Sequence, residues 1–161
     1  MTIKAGDRLP EATFKVRTAN GMDDVTTAGL TAGKKVVLFA VPGAFTPSCN
    51  DRHLPSYVRN VEALKAKGVD TIACVAVNDA FVLDAWARSV GTGDGILMLA
   101  DGNGTFTKAV GLDFDGSAHG LGLRSRRYAM IVEDGVVEHL AVEDAPPMVE
   151  ASRAERLLEV L

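Results

Sequence analysis

The sequence predicts an α/β fold, a central mixed β-sheet flanked by helices on both faces. Three observations carry that prediction. Short continuous apolar runs alternate with helical stripes along the first two thirds of the chain, as expected of strands buried on both faces. Two further apolar runs then meet at Glu133-Asp134-Gly135, and Asp-Gly between such runs is a hairpin signal. An amphipathic stretch from about Val149 to Leu161 closes the chain as a helix. A βαβ beginning followed by a ββα ending describes such a mixed sheet.

The elements follow in order. Lys34-Lys35-Val36-Val37-Leu38-Phe39-Ala40-Val41 ends in the first buried strand, which Pro42-Gly43 breaks. Thr46 suits a helix N-cap and Pro47 the first helical position, where a missing N–H costs nothing. Tyr57, Val58, Val61 and Leu64 continue a helical stripe to Lys67-Gly68, with Pro55 expected to kink it or interrupt one hydrogen bond. Thr71–Val77 reads as the second strand. Asn78-Asp79 caps a helix from about Ala80 to Ser89, with Phe81, Ala85 and Trp86 on related faces as packing aromatics and alanine. Ile96–Ala100 is a third strand, and Asp101-Gly102-Asn103-Gly104 turns into a helix ending near Gly111. Arg127–Val132 and Val136–Val142 form the hairpin. No repeat, low-complexity segment or linker interrupts the chain, so residues 1–161 are expected to form one domain.

Composition narrows the function classes. Seventeen basic residues against 21 acidic give a net charge of −4, and no basic stretch is long enough to track a phosphate backbone, which argues against a nucleic-acid role. No apolar run approaches a membrane span, and the N-terminus lacks the apolar core of a signal peptide. Two cysteines do not make a disulfide framework, so the expected compartment is a reducing cytoplasm. One cysteine near three scattered histidines offers no zinc spacing, and no metal or cofactor is expected. The glycine clusters Gly91–Gly95 and Gly102–Gly104 lack phosphate-loop and dinucleotide register and read as loop punctuation.

Cys49 is the residue that points to chemistry. On the Thr46 cap it is the third helical residue, near unpaired backbone N–H groups and the positive end of the helix dipole. The thiolate is the nucleophile, and such a position favours it. A buried cysteine is ordinarily a small core hydrophobe. Here the neighbours Ser48, Asn50, Asp51 and Arg52 suit a helix start at a cleft, and Cys49 is read as a reactive thiol.

The stretch Val41-Pro42-Gly43-Ala44-Phe45-Thr46-Pro47-Ser48-Cys49, followed by His53-Leu54-Pro55, resembles the active-site loop of peroxiredoxins. Within them it is similar to the type II, or peroxiredoxin-5-like, branch. Gly33-Lys34-Lys35, the segment Ala63–Val69, Val77–Val82 and Gly120–Tyr128 match the same branch in order, so the resemblance covers essentially the whole chain. It implies a thioredoxin-like fold and a thiol peroxidase that reduces hydrogen peroxide and small organic hydroperoxides.

It further implies Cys49 as the peroxidatic cysteine and Thr46 as the hydroxyl that orients the peroxide. Pro42 would shield the thiolate, and Arg127 would hold thiolate and peroxide together, with Gly43 and Phe45 lining the substrate site. Fixed donors suit this chemistry, because negative charge moves from sulfur onto the departing oxygen. Arginine is always charged and offers a rigid fork of N–H groups. Arg124 and Arg126 compete with Arg127 for the role. Alternation along the strand sends Arg126 to the opposite face, and Arg124 is a candidate supporting residue. His53, four residues after Cys49, is weighed as a base but reads as a structural histidine.

Cys74 lies inside a continuous apolar strand, where a thiol is normally inert, and its pairing with Cys49 would need local unwinding of the helix start. Some relatives carry a resolving cysteine near the C-terminus, whereas Asp144–Leu161 has none. An outside reductant is therefore expected, glutathione with glutaredoxin, or thioredoxin. The resemblance also suggests a homodimer, to which Phe45 and Phe81 would contribute. A disulfide oxidoreductase on the same fold is disfavoured because no Cys-x-x-Cys is present, and a redox sensor oxidised at Cys49 is the non-enzymatic alternative.

Overall fold

The computed structural model describes residues 1–161. Nine strands and six α-helices appear in the order β1 (Thr13–Thr18), β2 (Gly21–Thr26), α1 (Thr27–Thr31), β3 (Lys35–Ala40), α2 (Leu54–Arg59), α3 (Val61–Ala66), β4 (Thr71–Ala76), α4 (Ala80–Val90), β5 (Leu97–Ala100), α5 (Thr105–Ala109), β6 (Asp113–Asp115), β7 (Leu123–Ser125), β8 (Tyr128–Glu133), β9 (Val136–Val142) and α6 (Ala154–Val160). A π-helical turn, Cys49–His53, precedes α2. Seven strands make one sheet in the order β2-β1-β5-β4-β3-β8-β9, and β6 pairs with β7 apart from it. Strands β3, β4 and β5 are parallel, whereas β1 and β8 run antiparallel to their neighbours β5 and β3. This is the mixed sheet of the thioredoxin-like fold.

The continuous apolar runs have a simple physical cause. In β3, Val37 and Phe39 face one layer and Val36, Leu38 and Ala40 the other. The first layer is closed by Leu54 and Tyr57 of α2, Leu64 of α3, Leu83 and Trp86 of α4 and Leu157 of α6. Leu30 of α1 and Phe106 of α5 close the second. With both faces covered, a one-residue slip of β3 would exchange the contents of the two layers, so register is set by side-chain size rather than by polarity.

Three departures from the sequence reading have identifiable causes. The first strand of the chain is β1, not the run at Lys35. The β1–β2 hairpin went unread because only Phe14 and Val16 of β1 are buried, and β2 is an edge strand whose Met22, Asp23 and Asp24 face solvent. The stripe from Thr46 to Gly68 is interrupted at Pro55, as expected, and is broken a second time at Asn60, which was not. Pro55 has no N–H to donate, and just before it the Leu54 N–H reaches back five residues to the Cys49 carbonyl. At Asn60 the side-chain amide takes the Ser56 carbonyl at 2.7 Å while its backbone N–H turns to Tyr57. Finally, the C-terminal helix starts at Ala154 rather than near Val149, because the backbone of the preceding residues is engaged by core side chains.

Phe81 also departs from its expected place. It lies five residues before Trp86, which sets the two about 140° apart around a helix. Trp86 is fully buried; Phe81 is exposed, with the Arg17 guanidinium 5.2 Å from its ring centroid.

Candidate active site

The sheet register brings Arg127 to Cys49. Ala40, the last residue of β3, pairs with Tyr128, the first of β8, so the chain entering β8 lies beside the chain leaving β3. Tyr128 faces the layer of Phe106, so Arg127 points to the other side, into the layer that holds Cys49. Arg126 is exposed and turned away. Arg127 is almost wholly buried, and its Nη2 donates to Cys49 Sγ at 3.2 Å.

A helix does begin at Pro47, and the Thr46 carbonyl accepts from Asn50 N at 2.8 Å. Thr46 therefore caps with its backbone, but its hydroxyl does not cap. Thr46 Oγ1 donates to the Gly43 carbonyl at 2.7 Å instead, beside the turn bond from Thr46 N to the same oxygen. That tight turn places Phe45 at φ 66°, a conformation costing about 1–3 kcal/mol for a bulky residue, and leaves its ring exposed. The loop is pinned from outside. Asn78 Oδ1 accepts from Ala44 N at 3.0 Å, and Arg124 Nη1 donates to the Pro42 carbonyl at 3.4 Å. A Cβ on Gly43 would stand 2.6 Å from that same Arg124 nitrogen, so a side chain there would push the arginine off the loop. Arg124 touches the loop and not the sulfur.

Cys49 itself has no exposed surface. The helix start at Pro47 leaves the N–H groups of Ser48 and Cys49 without intrahelical acceptors. His53 is fully buried between Arg127 and the C-terminal loop. Its Nδ1 faces Arg127 Nη1 at 2.9 Å and its Nε2 faces the Ser152 carbonyl at 3.1 Å. Arginine can only donate and a carbonyl can only accept, so the ring is neutral with its proton on Nε2. Burial, and then the Arg127 charge, push its pKa down to about 3. A base of that strength holds no proton near neutrality, and His53 contacts Arg127 rather than the sulfur.

That depression has a consequence for stability. The unfolded chain protonates His53 near pH 6.5, whereas the folded chain does not until about pH 3. Between those values the unfolded state binds the extra proton, so stability falls as pH falls and the loss is complete only below the folded value. Denaturant unfolding of wild type and His53→Gln across pH 7 to 3 should show a wild-type excess loss of a few kcal/mol. Parallel curves for the two proteins would contradict it.

Cys74 lies in β4 opposite Phe39 and Met98, fully buried and unpaired. Burial, and secondarily the Cys49 charge, push its thiol well above the usual range. A buried thiol so disfavoured as a thiolate is a poor nucleophile.

Sequence reasoning missed the residues behind Arg127. Arg127 Nε donates to the Pro146 carbonyl at 3.0 Å, and Tyr57 OH donates to the Ser152 carbonyl at 2.6 Å. The Pro147 carbonyl accepts from Ser48 Oγ and Arg52 Nη2. The only available signal was Pro146-Pro147, which marks a loop.

Comparison with known proteins shows the family. Residues 4–158 match the Redoxin family model. The chain is 52% identical over 165 residues to peroxiredoxin-2E-2, chloroplastic, of Oryza sativa subsp. japonica, covering 99% of this chain and 73% of that protein. It is 46% identical to peroxiredoxin-2C of the same plant, covering 99% and 98%. Among solved structures, reduced Prx3 from Vibrio vulnificus in complex with H2O2 superposes with a TM-score of 0.94 at 53% identity, covering 99% of each chain. Peroxiredoxin 5 from Alvinella pompejana gives a TM-score of 0.80 at 38% identity, covering 88% of this chain and 90% of that one. With a family model spanning nearly its whole length and relatives matched over 99% of it, the chain belongs to the redoxin family, as a type II peroxiredoxin and thus a thiol-dependent peroxidase.

Proposed function

We propose that the protein reduces hydrogen peroxide and small organic hydroperoxides at Cys49 and is returned to the thiol by an outside reductant. The observation that carries this reading is the Arg127 Nη2 to Cys49 Sγ contact of 3.2 Å in a site closed to solvent. A permanent cation donating to sulfur stabilises the thiolate. Three of the five guanidinium N–H groups are occupied by Pro146, His53 and Cys49, and of the two that remain the second N–H of Nη2 is on the nitrogen next to the sulfur, where it can serve a peroxide oxygen. Thr46 Oγ1 spends its proton on Gly43, so its lone pairs are free to accept from the peroxide O–H.

In the reaction the Cys49 thiolate attacks the near peroxide oxygen. An S–O bond forms, the O–O bond breaks, sulfur is oxidised by two electrons, and the departing oxygen takes a proton to leave as water or alcohol. Charge arrives on that oxygen beside Arg127, where the donors are already in place. Pro42 and Gly43, both buried, form the wall of the site and Phe45 its rim. A thiol then condenses with the sulfenic acid, releasing water and forming a mixed disulfide, and a second thiol displaces Cys49.

The sealed sulfur argues for small peroxides and for opening of the helix start before any thiol reaches Cys49. The inert setting of Cys74 favours glutathione with glutaredoxin, or thioredoxin, over an internal disulfide. Two unpaired cysteines suit a reducing compartment such as the cytoplasm. The exposed rings of Phe45 and Phe81 support a homodimer in which they are covered.

Intact-protein mass spectrometry after one equivalent of peroxide tests the reading. The expected product is the addition of one oxygen at Cys49, converted by glutathione to a glutathione adduct. A dominant loss of two hydrogens would mean a Cys49–Cys74 disulfide and an internal cycle. An unmodified mass would remove the peroxidase reading.

A further inference from the structure

Glu143 is a buried carboxylate with no cation within salt-bridge range, only 4% exposed, at the junction between β9 and the C-terminal loop. Such a group costs several kcal/mol to bury unless donors replace its water. Here one oxygen, Oε2, takes three donors: Glu150 N at 2.8 Å, Ser152 N at 2.8 Å and Ser152 Oγ at 2.6 Å. These bonds hold the turn whose Ser152 carbonyl faces His53 Nε2. Glu143 is also tied to Arg127 directly, because its backbone N–H donates to the Arg127 carbonyl at 3.0 Å.

We propose that Glu143 is a positioning residue for Arg127, acting through Ser152 and His53. Each link is fixed by donor and acceptor chemistry. The carboxylate aims the Ser152 carbonyl, and the carbonyl holds the imidazole proton on Nε2. The bare Nδ1 then receives Arg127 Nη1, which turns Nη2 onto Cys49 Sγ. If the Ser152 carbonyl moved away, the ring could carry its proton on Nδ1, and two donors would face each other where one bond now stands. Arg127 would then swing, and the fork that spans sulfur and peroxide would lose its aim. The kinetic part of this proposal rests on the peroxidase reading; the hydrogen-bond relay does not.

A double-mutant cycle with Arg127→Ala separates positioning from general loosening. Stopped-flow oxidation of the reduced protein by hydrogen peroxide should slow by about tenfold in Glu143→Ala and by about threefold in Glu143→Gln, which keeps an acceptor oxygen and the side-chain volume. In the Arg127→Ala background both losses should shrink to within about twofold, since nothing remains to aim. Losses that multiply in that background, or wild-type rates in the Glu143 variants, overturn the proposal. Glu143→Gln keeps the test decisive if the alanine variant does not fold. Nitrogen-15 NMR of the His53 ring reads the relay without peroxide. Wild type should show the Nε2-protonated tautomer and Glu143→Gln an added Nδ1-protonated population; an unchanged tautomer overturns the relay. A tautomer change alongside a wild type inert to peroxide would overturn the peroxidase reading and the kinetic part with it.

Discussion

Cys49→Ser should abolish peroxide consumption, and Cys74→Ser should leave glutathione-linked turnover largely intact. A serine hydroxyl in the same place does not ionise near neutrality, and its oxygen lone pairs are far less polarisable than a thiolate's, so the loss should reach the uncatalysed background. The two cysteines belong to the same buried layer, yet their surroundings oppose each other. Cys49 stands at a helix start under the Arg127 donor, whereas Cys74 stands mid-strand, with burial pushing its thiol up. Burying a hydroxyl at position 74 costs about 1–3 kcal/mol, so the variant should melt lower without losing its chemistry. The measurement is steady-state peroxide consumption with glutathione and glutaredoxin, together with a thermal melt. A folded Cys74→Ser protein that no longer turns over would make Cys74 the resolving residue and remove the outside-thiol route.

Legibility of the site in the sequence followed the kind of group involved. Cys49, Thr46 and Pro42 share one short loop, so their spacing carried the reading. Arg127 is 78 positions away from Cys49 and was reached through resemblance and strand alternation; the Ala40 to Tyr128 register is its structural cause. The central strands were readable because burial on both faces demands unbroken apolar runs. The β1–β2 hairpin was not, since an edge strand with Asp23 and Asp24 facing water carries no such demand. Least legible was the loop behind Arg127. Its contributions are the carbonyls of Pro146, Pro147 and Ser152, and a backbone carbonyl is the same for every residue type. Periodicity extended a helix over part of that stretch; the core claimed those groups first. Glu143 had no pattern around it that separated a buried clamp from one more surface acid.

Arg127→Ala should slow the oxidation of Cys49 by hydrogen peroxide by about 100- to 1,000-fold, the range seen when one preorganised donor is removed from a developing anion. Arg127→Lys should recover only a small part of this. Lysine keeps the charge, but one ammonium cannot meet Cys49 Sγ, His53 Nδ1 and the Pro146 carbonyl at once, as the guanidinium does at 3.2, 2.9 and 3.0 Å. Removing the guanidinium also strands two buried acceptors, each worth about 1–3 kcal/mol, so stability falls together with rate. Alkylation of Cys49 by iodoacetamide distinguishes the two losses. That reaction needs the thiolate and an opening but no donor on a departing peroxide oxygen. A variant that is merely loosened would alkylate faster while its peroxide rate held near wild type. If Arg127 acts on the transition state, the ratio of peroxide rate to alkylation rate should collapse in a protein that is still folded. A peroxide rate within about threefold of wild type in folded Arg127→Ala would mean that the helix start alone activates the sulfur.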